Sequence, residues 1–249
     1  MGFGKFGSGS MHKSTETSTY KSKGFLIAIV GVVIWSFTAV FIRYLNDVYN
    51  MPPIVIAFWR DFFVALALLI FFIFSNRNLL HFDIRNWKFM FGYGCVLAVF
   101  NALWTVSVKL NGAAIATVLV YGSVAFTAIF ERWFLQSRLG IWKTVAIILS
   151  LSGCILVAGA HNPAIWQLNP TGVTVGLLSG IGFTTYSLFG KKSLNKCINT
   201  WTALLYSFAV AAFLLFILNL LPDPSSNLFV LDRLFWLGDS FSGWIVLIF

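Results

Sequence analysis

Seven stretches of this chain are apolar over about the length of a bilayer crossing, and that limits its fold more than any other feature. They run Gly24–Tyr44, Pro53–Ser75, Trp87–Val108, Ala113–Leu135, Gly140–Ala160, Gly172–Gly190 and Ile198–Leu221, and an eighth opens near Gly243. About 20 residues of helix, rising about 1.5 Å each, match a hydrocarbon core about 30 Å thick. The runs are continuously apolar rather than alternating, which favours helices over barrel strands. Hydrophobic residues make up 59% of the 249 and charged residues only 10%, with mean hydropathy +0.85. So few charges cannot cover a 27.8 kDa globule with a water-compatible surface. A soluble enzyme, a disordered chain and a nucleic-acid module are excluded. The expected fold is an all-α polytopic membrane protein, with about seven full transmembrane helices plus a partial eighth.

The lysines and arginines follow loop topology. With the N-terminus inside, the inner segments hold Lys5, Lys13, Lys21, Lys23, Arg77, Arg85, Lys88, Arg132, Arg138, Lys143, Lys191, Lys192 and Lys196. The outer segments hold Arg43, Lys109 and Arg233, and Arg60 lies within a span. This asymmetry predicts a cytoplasmic N-terminus. It persists without residues 1–23. The net charge of +9 therefore has an orientation role, and no nucleic-acid partner is expected. Tyr44, Tyr49, Trp87, Trp142, Trp166, Trp201 and Trp244 cluster near span ends, as interfacial anchors do.

Residues 1–23 read as a cytoplasmic tail. Within it, MGFGKFGSGS (1–10) resembles a foreign linker scar ahead of Met11 and is set aside from fold reasoning. Its Gly2, Gly4 and Gly7 spell GxGxxG, but no strand precedes them. The apolar run after Lys23 is too long for a signal-peptide core and lacks a small-x-small cleavage site, so it is a retained first span. The run from Gly243 to Phe249 would rise only about 10 Å. The expectation is a carrier that is longer than this chain, or a truncated product.

Two parts of the chain resemble each other. At an offset of 148 positions, Gly24 meets Gly172, Trp35 meets Phe183, Ser36 meets Thr184, Phe41 meets Phe189 and Arg43 meets Lys191. The following spans correspond more loosely, Trp59-Arg60-Asp61-Phe62 against Tyr206-Ser207-Phe208-Ala209. The second copy opens after five spans, an odd number, and so crosses in the opposite sense. An inverted repeat makes inward-open and outward-open states near-equivalent around one midplane site. Residues 24–160 are the expected first repeat and residues 172–249 an incomplete second.

With that order and spacing, the chain resembles the EamA-type branch of the drug/metabolite transporter superfamily. The resemblance rests on the first span, GFLIAIVGVVIWSFTAVFIRYL, and on Pro52-Pro53 followed by AFWRDFFVALALL. It continues through ALWTVSVKLNGAAIATVLVYGSVAFTAIF, the turn FLQSRLGIWK and a fifth span ending SLSGCILVAG. It implies ten helices in two inverted five-helix repeats, with both ends cytoplasmic. This chain would supply the first repeat and about half of the second. One departure is the turn after the fourth span, where Ser137-Arg138 stands in place of the family's Glu beside Arg, with Glu131 earlier.

Arg60 is the sharpest single residue. A charged side chain inside a span costs about 2.5–3.5 kcal/mol on insertion scales, so it faces a partner or water. It reads either as an anchor for an anionic substrate or a gate, or as a strut bonded to carbonyls or, through water, to Asp61. Adjacent helical residues diverge by about 100°, so Arg60 and Asp61 are not an automatic pair. Asp61 is the candidate for proton coupling. Glu131, beside Arg132, reads as a snorkelling surface pair. Asn101, Trp104 and Thr105 share a face of the third span, Thr117 and Tyr121 a face of the fourth, Trp35 and Thr38 one of the first, and Phe183 and Tyr186 one of the sixth. These faces serve either interhelical hydrogen bonding or an aromatic-walled substrate cavity. Gly172, Gly176, Gly180 and Gly182 give a small-residue edge for close helix contact.

Cys95, Cys154 and Cys197 have no metal-ligand spacing. His12, His81 and His161 lie in tails and loops, and no HExxH motif occurs. Neither a catalytic site, a metal nor a cofactor is expected. The expected activity is secondary transport, most simply export, of a small organic metabolite across a bacterial inner membrane, with proton or exchange coupling. An ion channel and a non-transporting remnant are the alternatives. The charge pattern makes a concrete prediction: in spheroplast protection assays, a protease site inserted at residue 82 is cut only from the cytoplasmic side, and one inserted at residue 226 only from outside.

Overall fold

A computed structural model describes residues 9–75, 77–81, 83–135, 140–157, 170–221, 234–237 and 241–248. Every regular element among them is helical. The elements are α1 (Gly9–Tyr49), α2 (Pro53–Ser75), α3 (Trp87–Asn111), α4 (Ala113–Tyr121), α5 (Ser123–Leu135), α6 (Ile141–Val157), α7 (Pro170–Asn195), α8 (Thr200–Leu220) and α9 (Phe241–Ile248). Short 3-10 turns cover Arg77–Leu80 and Ile84–Asn86. Five helical stretches are long and apolar enough to cross a membrane: Ile29–Tyr49, Pro53–Ser75, Ile84–Asn111, Pro170–Asn195 and Thr200–Leu220. Two shorter apolar stretches are Ala113–Ala128 and Thr144–Gly153. The structure is therefore the all-α polytopic membrane fold read from composition.

Residues up to Val40 and residues from Phe41 onward form two compact units. In the first, α1 begins at Gly9, within the stretch read as a tail, because no proline interrupts the polar segment before Gly24. Large apolar side chains line its outside, including Phe25, Val32, Ile34 and Phe37. An outside of this kind suits lipid.

In the second unit, α3 is the central element, packing against α2, α4, α7 and α8. α8 also packs on α2, and α7 on α4 and α5. Local chemistry sets the joints. Asn50, in the left-handed region that asparagine tolerates, and Pro52-Pro53 separate α1 from α2. Gly112, at φ 81°, makes the reversal between α3 and α4, a conformation in which a Cβ is strained. Asn199 accepts a hydrogen bond from the Trp201 N–H at 2.9 Å and so starts α8. Two α8 hydroxyls then hold the turn after α2: Thr202 donates to the Leu79 carbonyl at 2.8 Å and Tyr206 to the Leu80 carbonyl at 2.7 Å.

The fourth span, read as one helix over Ala113–Leu135, is interrupted at Gly122. α7 crosses it there. Gly180 is buried so close that an added Cβ would lie 3.0 Å from the Leu119 carbonyl oxygen. The Thr184 hydroxyl donates to the Ser123 carbonyl at 3.1 Å. A glycine at the crossing lets α7 approach the backbone itself, as the small-residue edge implies. The expected Glu131–Arg132 pair, the Ser137-Arg138 turn and residues 222–233 lie outside the described residues or side chains.

The crossing predicts a graded response. Gly180→Ile forces a branched side chain into the Leu119 backbone and should destabilise the detergent-solubilised protein by about 1–3 kcal/mol, read as a lower thermal unfolding midpoint. Gly31→Ala, whose Cβ would meet nothing within 4 Å, should not lower that midpoint and, by favouring the helix, should raise it slightly.

Candidate functional site

α2 enters the bundle from Pro53, so its residue 61 lies about 12 Å along the helix from that end. There Asp61 is fully buried. Asn101 of α3 donates from Nδ2 to both carboxylate oxygens, at 2.8 and 2.7 Å. Arg60 Nε lies 3.6 Å from Asp61 Oδ1. The neighbours on α2 are thus a direct ion pair, although helical geometry separates them, because the long arginine side chain folds back towards the carboxylate. The guanidinium also stands over the Trp104 ring, with its carbon 5.1 Å from the ring centroid. A cation held over indole gains about 0.5–2 kcal/mol. Ion pair, amide and indole together neutralise two charges that hydrocarbon would otherwise reject.

Two donor groups at this cluster are left over. The Trp104 Nε1–H is buried and has no hydrogen-bond partner. Among the described residues, none accepts a hydrogen bond from the terminal nitrogens of Arg60. A buried donor such as the Trp104 N–H is seldom left unpaired, whereas the Arg60 side chain is partly exposed. The cluster can therefore accept a further oxygen-rich group without displacing its own hydrogen bonds.

The other candidates separate by role. Thr105 is fully buried and its hydroxyl bonds the Asn101 carbonyl of its own helix at 2.8 Å. Thr117 likewise bonds the Ala113 carbonyl at 2.7 Å. Neither hydroxyl reaches across to another helix. Tyr121 is half-buried at the end of α4. Trp35 and Thr38 belong to the unit ending at Val40, where Thr38 is half-buried and Trp35 more exposed. Phe183 packs on Phe100 at 5.2 Å between ring centroids, and Phe100 stacks beside Trp104 at 6.3 Å. Tyr186 stacks on Tyr93 at 4.7 Å, and Tyr93 on Phe189 at 5.9 Å. An aromatic wall thus extends from Trp104 along the contact between α3 and α7.

Tyr93 and Phe100 were not among the residues singled out from sequence. The signal was there: Phe89, Tyr93, Phe100 and Trp104 recur at steps of four, seven and four, one face of a helix. Ser207, fully buried on α8, donates to the Leu204 carbonyl of its own helix at 2.9 Å. Trp59, beside Arg60, donates to the Leu234 carbonyl at 2.8 Å and meets Trp244 of α9 edge-on at 5.0 Å. A separate groove of about 520 Å³ between α2 and α8 is walled by hydrocarbon, including Phe58, Phe62, Leu205 and Phe213, and no charged side chain lines it.

Helices of this length and apolarity define a polytopic membrane protein, here with a charged cluster inside its bundle. Residues 22–159 match the EamA-like transporter family, and the chain belongs to that family. It is similar to the uncharacterized transporter YdfC of Bacillus subtilis, with 25% identity over 142 residues, covering 57% of this chain and 45% of that protein. It is also similar to the uncharacterized transporter YwfM of the same organism, with 27% identity over 119 residues, covering 47% of this chain and 39% of that protein. These matches span less than half the length of either relative. No solved structure matches the chain.

The cluster predicts a hierarchy of stability losses. Arg60→Met leaves Asp61 buried without its cation and should cost about 3–5 kcal/mol, whereas Arg60→Met with Asp61→Leu should cost less than either single change. Chemical denaturation in detergent micelles measures the ordering.

Proposed function

We propose that the protein is a secondary transporter that moves a small organic metabolite across a bacterial inner membrane, in the export direction, by alternating access. The observation that carries this reading is the buried cluster of Arg60, Asp61, Asn101 and Trp104, with two unengaged donor groups, inside a membrane-spanning bundle. Ionisable groups at such depth mark substrate or ion pathways in membrane proteins. Membership of a transporter family supports the same conclusion, and nothing in the residues specifies catalysis.

The two halves of the chain, 24–160 and 172–249, are read as inverted repeats that exchange roles around this cluster. The substrate pathway then includes Trp35, Thr38, Arg60, Asp61, Asn101, Trp104, Thr105, Thr117, Tyr121, Phe183 and Tyr186. Arg60 is the residue that meets substrate. Phe183, Tyr186 and Trp104 are the aromatic wall, and Thr105 and Thr117, bonded to carbonyls of their own helices, shape the helices that carry it. With no phosphate-binding loop in the sequence, the driving force is an ion gradient or substrate exchange.

Proteoliposomes test this. Vesicles loaded with a mixture of unlabelled metabolites and challenged with labelled ones should show counterflow with the unaltered chain. Arg60→Ala should lower the rate by about tenfold or more, the loss of one charged hydrogen-bonding partner. Conductive currents without counterflow would replace the carrier by a channel.

A further inference from the structure

The charge arithmetic of the cluster sets a limit on what can bind there. Arg60 and Asp61 are adjacent and opposite, Asp61 fully buried and Arg60 half-buried, so the pair is neutral as it stands. Asp61 meets Arg60 through the Nε edge, leaving the terminal nitrogens for a second planar acceptor, the geometry that suits a carboxylate. The Trp104 Nε1–H belongs to the ring beneath the guanidinium and is unpartnered. The two donor groups are neighbours, the guanidinium carbon lying 5.1 Å from the centroid of the ring that carries the unpartnered N–H, and both call for oxygen. Phe100 and Phe183 extend the wall behind Trp104, which suits an apolar or aromatic body.

A carboxylate arriving alone at Arg60 would leave an uncompensated negative charge beside the fully buried Asp61, which a low-dielectric interior opposes. A proton arriving with it restores neutrality. The acceptor is on hand, since no other carboxylate occurs in α2, α3, α7 or α8. The titratable groups on the elements packed against α2 are few. α3 brings Tyr93 and Cys95, with Lys88 and Lys109 at its ends; α8 brings Tyr206 and the adjoining turn Arg77; α9 brings none. Tyr186 comes from α7, one layer further. Tyr206 donates to the Leu80 carbonyl, and Tyr186 is stacked on Tyr93. Asn101 suits either state of Asp61. Its Nδ2 donates to the carboxylate, and turning its amide over would present Oδ1 to the protonated acid.

We propose that Asp61 stands in for the carboxylate of an organic monoanion, and that such an anion binds Arg60 and the Trp104 N–H together with one proton taken up by Asp61. The proton passes from bulk water to an Asp61 carboxylate oxygen, the ion pair becomes Arg60 with the bound carboxylate, and the net charge of the site stays at zero. Binding is then electroneutral. This deepens the carrier reading and rests on it for its role in transport, but not for the binding event; because anion and proton cross together, export is then driven by exchange or by the metabolite's own gradient and not by the proton gradient.

Phenylacetate is a suitable probe, with phenylacetamide as its uncharged isostere. Titration calorimetry on the purified 249-residue chain, in two buffers of different ionisation heat, should show millimolar or tighter phenylacetate binding with about one proton taken up per ligand. Phenylacetamide should bind at least about tenfold more weakly, having lost the charged contact. Arg60→Gln should abolish binding. Trp104→Phe should weaken it by about tenfold. Asp61→Asn should remove the proton uptake and flatten the pH dependence. If that variant does not fold, the two-buffer measurement on the unaltered chain decides alone. Zero proton uptake, equal binding of acid and amide, or no phenylacetate binding would each overturn the proposal. Counterflow of another solute by a chain that fails these tests would leave the carrier reading standing. Proton-coupled binding without any counterflow would remove transport and leave the site.

Discussion

A carboxylate withdrawn from water inside a membrane-spanning bundle has to be answered by its own surroundings, and Asp61 organises much of the bundle for that reason. The full charge is met by one arginine, one amide nitrogen and, through the arginine, one indole ring. Each partner fixes an element. Arg60 and Asp61 fix the rotation of α2, and Asn101 and Trp104 fix that of α3. Once those two helices are oriented, the aromatic face of α3 is turned to α7, and Phe100, Tyr93 and Phe89 find Phe183, Tyr186 and Phe189. The polar cluster contributes little net stability, because desolvation offsets most of its Coulombic gain. It contributes orientation.

Much of this was legible in the sequence. Continuous apolar runs place α2 residue for residue, α3 and α8 to within three residues and α7 to within five at its polar C-terminal end, because a lipid-exposed backbone has to bond within its own helix. Arg60 and Asp61 stood out as charges where charges are rare. Their pairing was not legible, because it depends on how an arginine side chain bends and not on helical register. Nor was the partnership with Asn101, which sits forty positions away, although its face had been marked. Tyr93 and Phe100 were hidden by their numbers: with 27 phenylalanines in the chain, an aromatic carries little information until its helical phase is tracked. The interruption at Gly122 coincides with the crossing of α7 at Gly180; a single glycine has low helix propensity but does not by itself end a helix, so the apolar run reads as continuous.

The buried hydroxyls divide in a way that sequence spacing could not show. Thr105 and Thr117 bond carbonyls of their own helices. Thr184 bonds its own helix and also reaches Ser123 across the crossing. A threonine in a membrane helix can serve as a local bend or as an interhelical tie, and only the position of the facing backbone decides which.

The turn held by Thr202 and Tyr206 also bears on how the bundle can deform. Because both hydroxyls grip backbone at Leu79 and Leu80, α8 is fastened to the trailing end of α2. A rearrangement that separated those two helices would lose both bonds together. The glycine face of α7 is built differently. Gly176 and Gly180 offer no side chains to interlock with α4 and α5, and two hydrogen bonds across the seam meet at one hydroxyl, Thr184, which donates to the Ser123 carbonyl at 3.1 Å and accepts from Thr127 at 3.5 Å, each worth about 1 kcal/mol. Sliding would therefore start along this smooth seam, leaving α2 and α8 to travel as one piece.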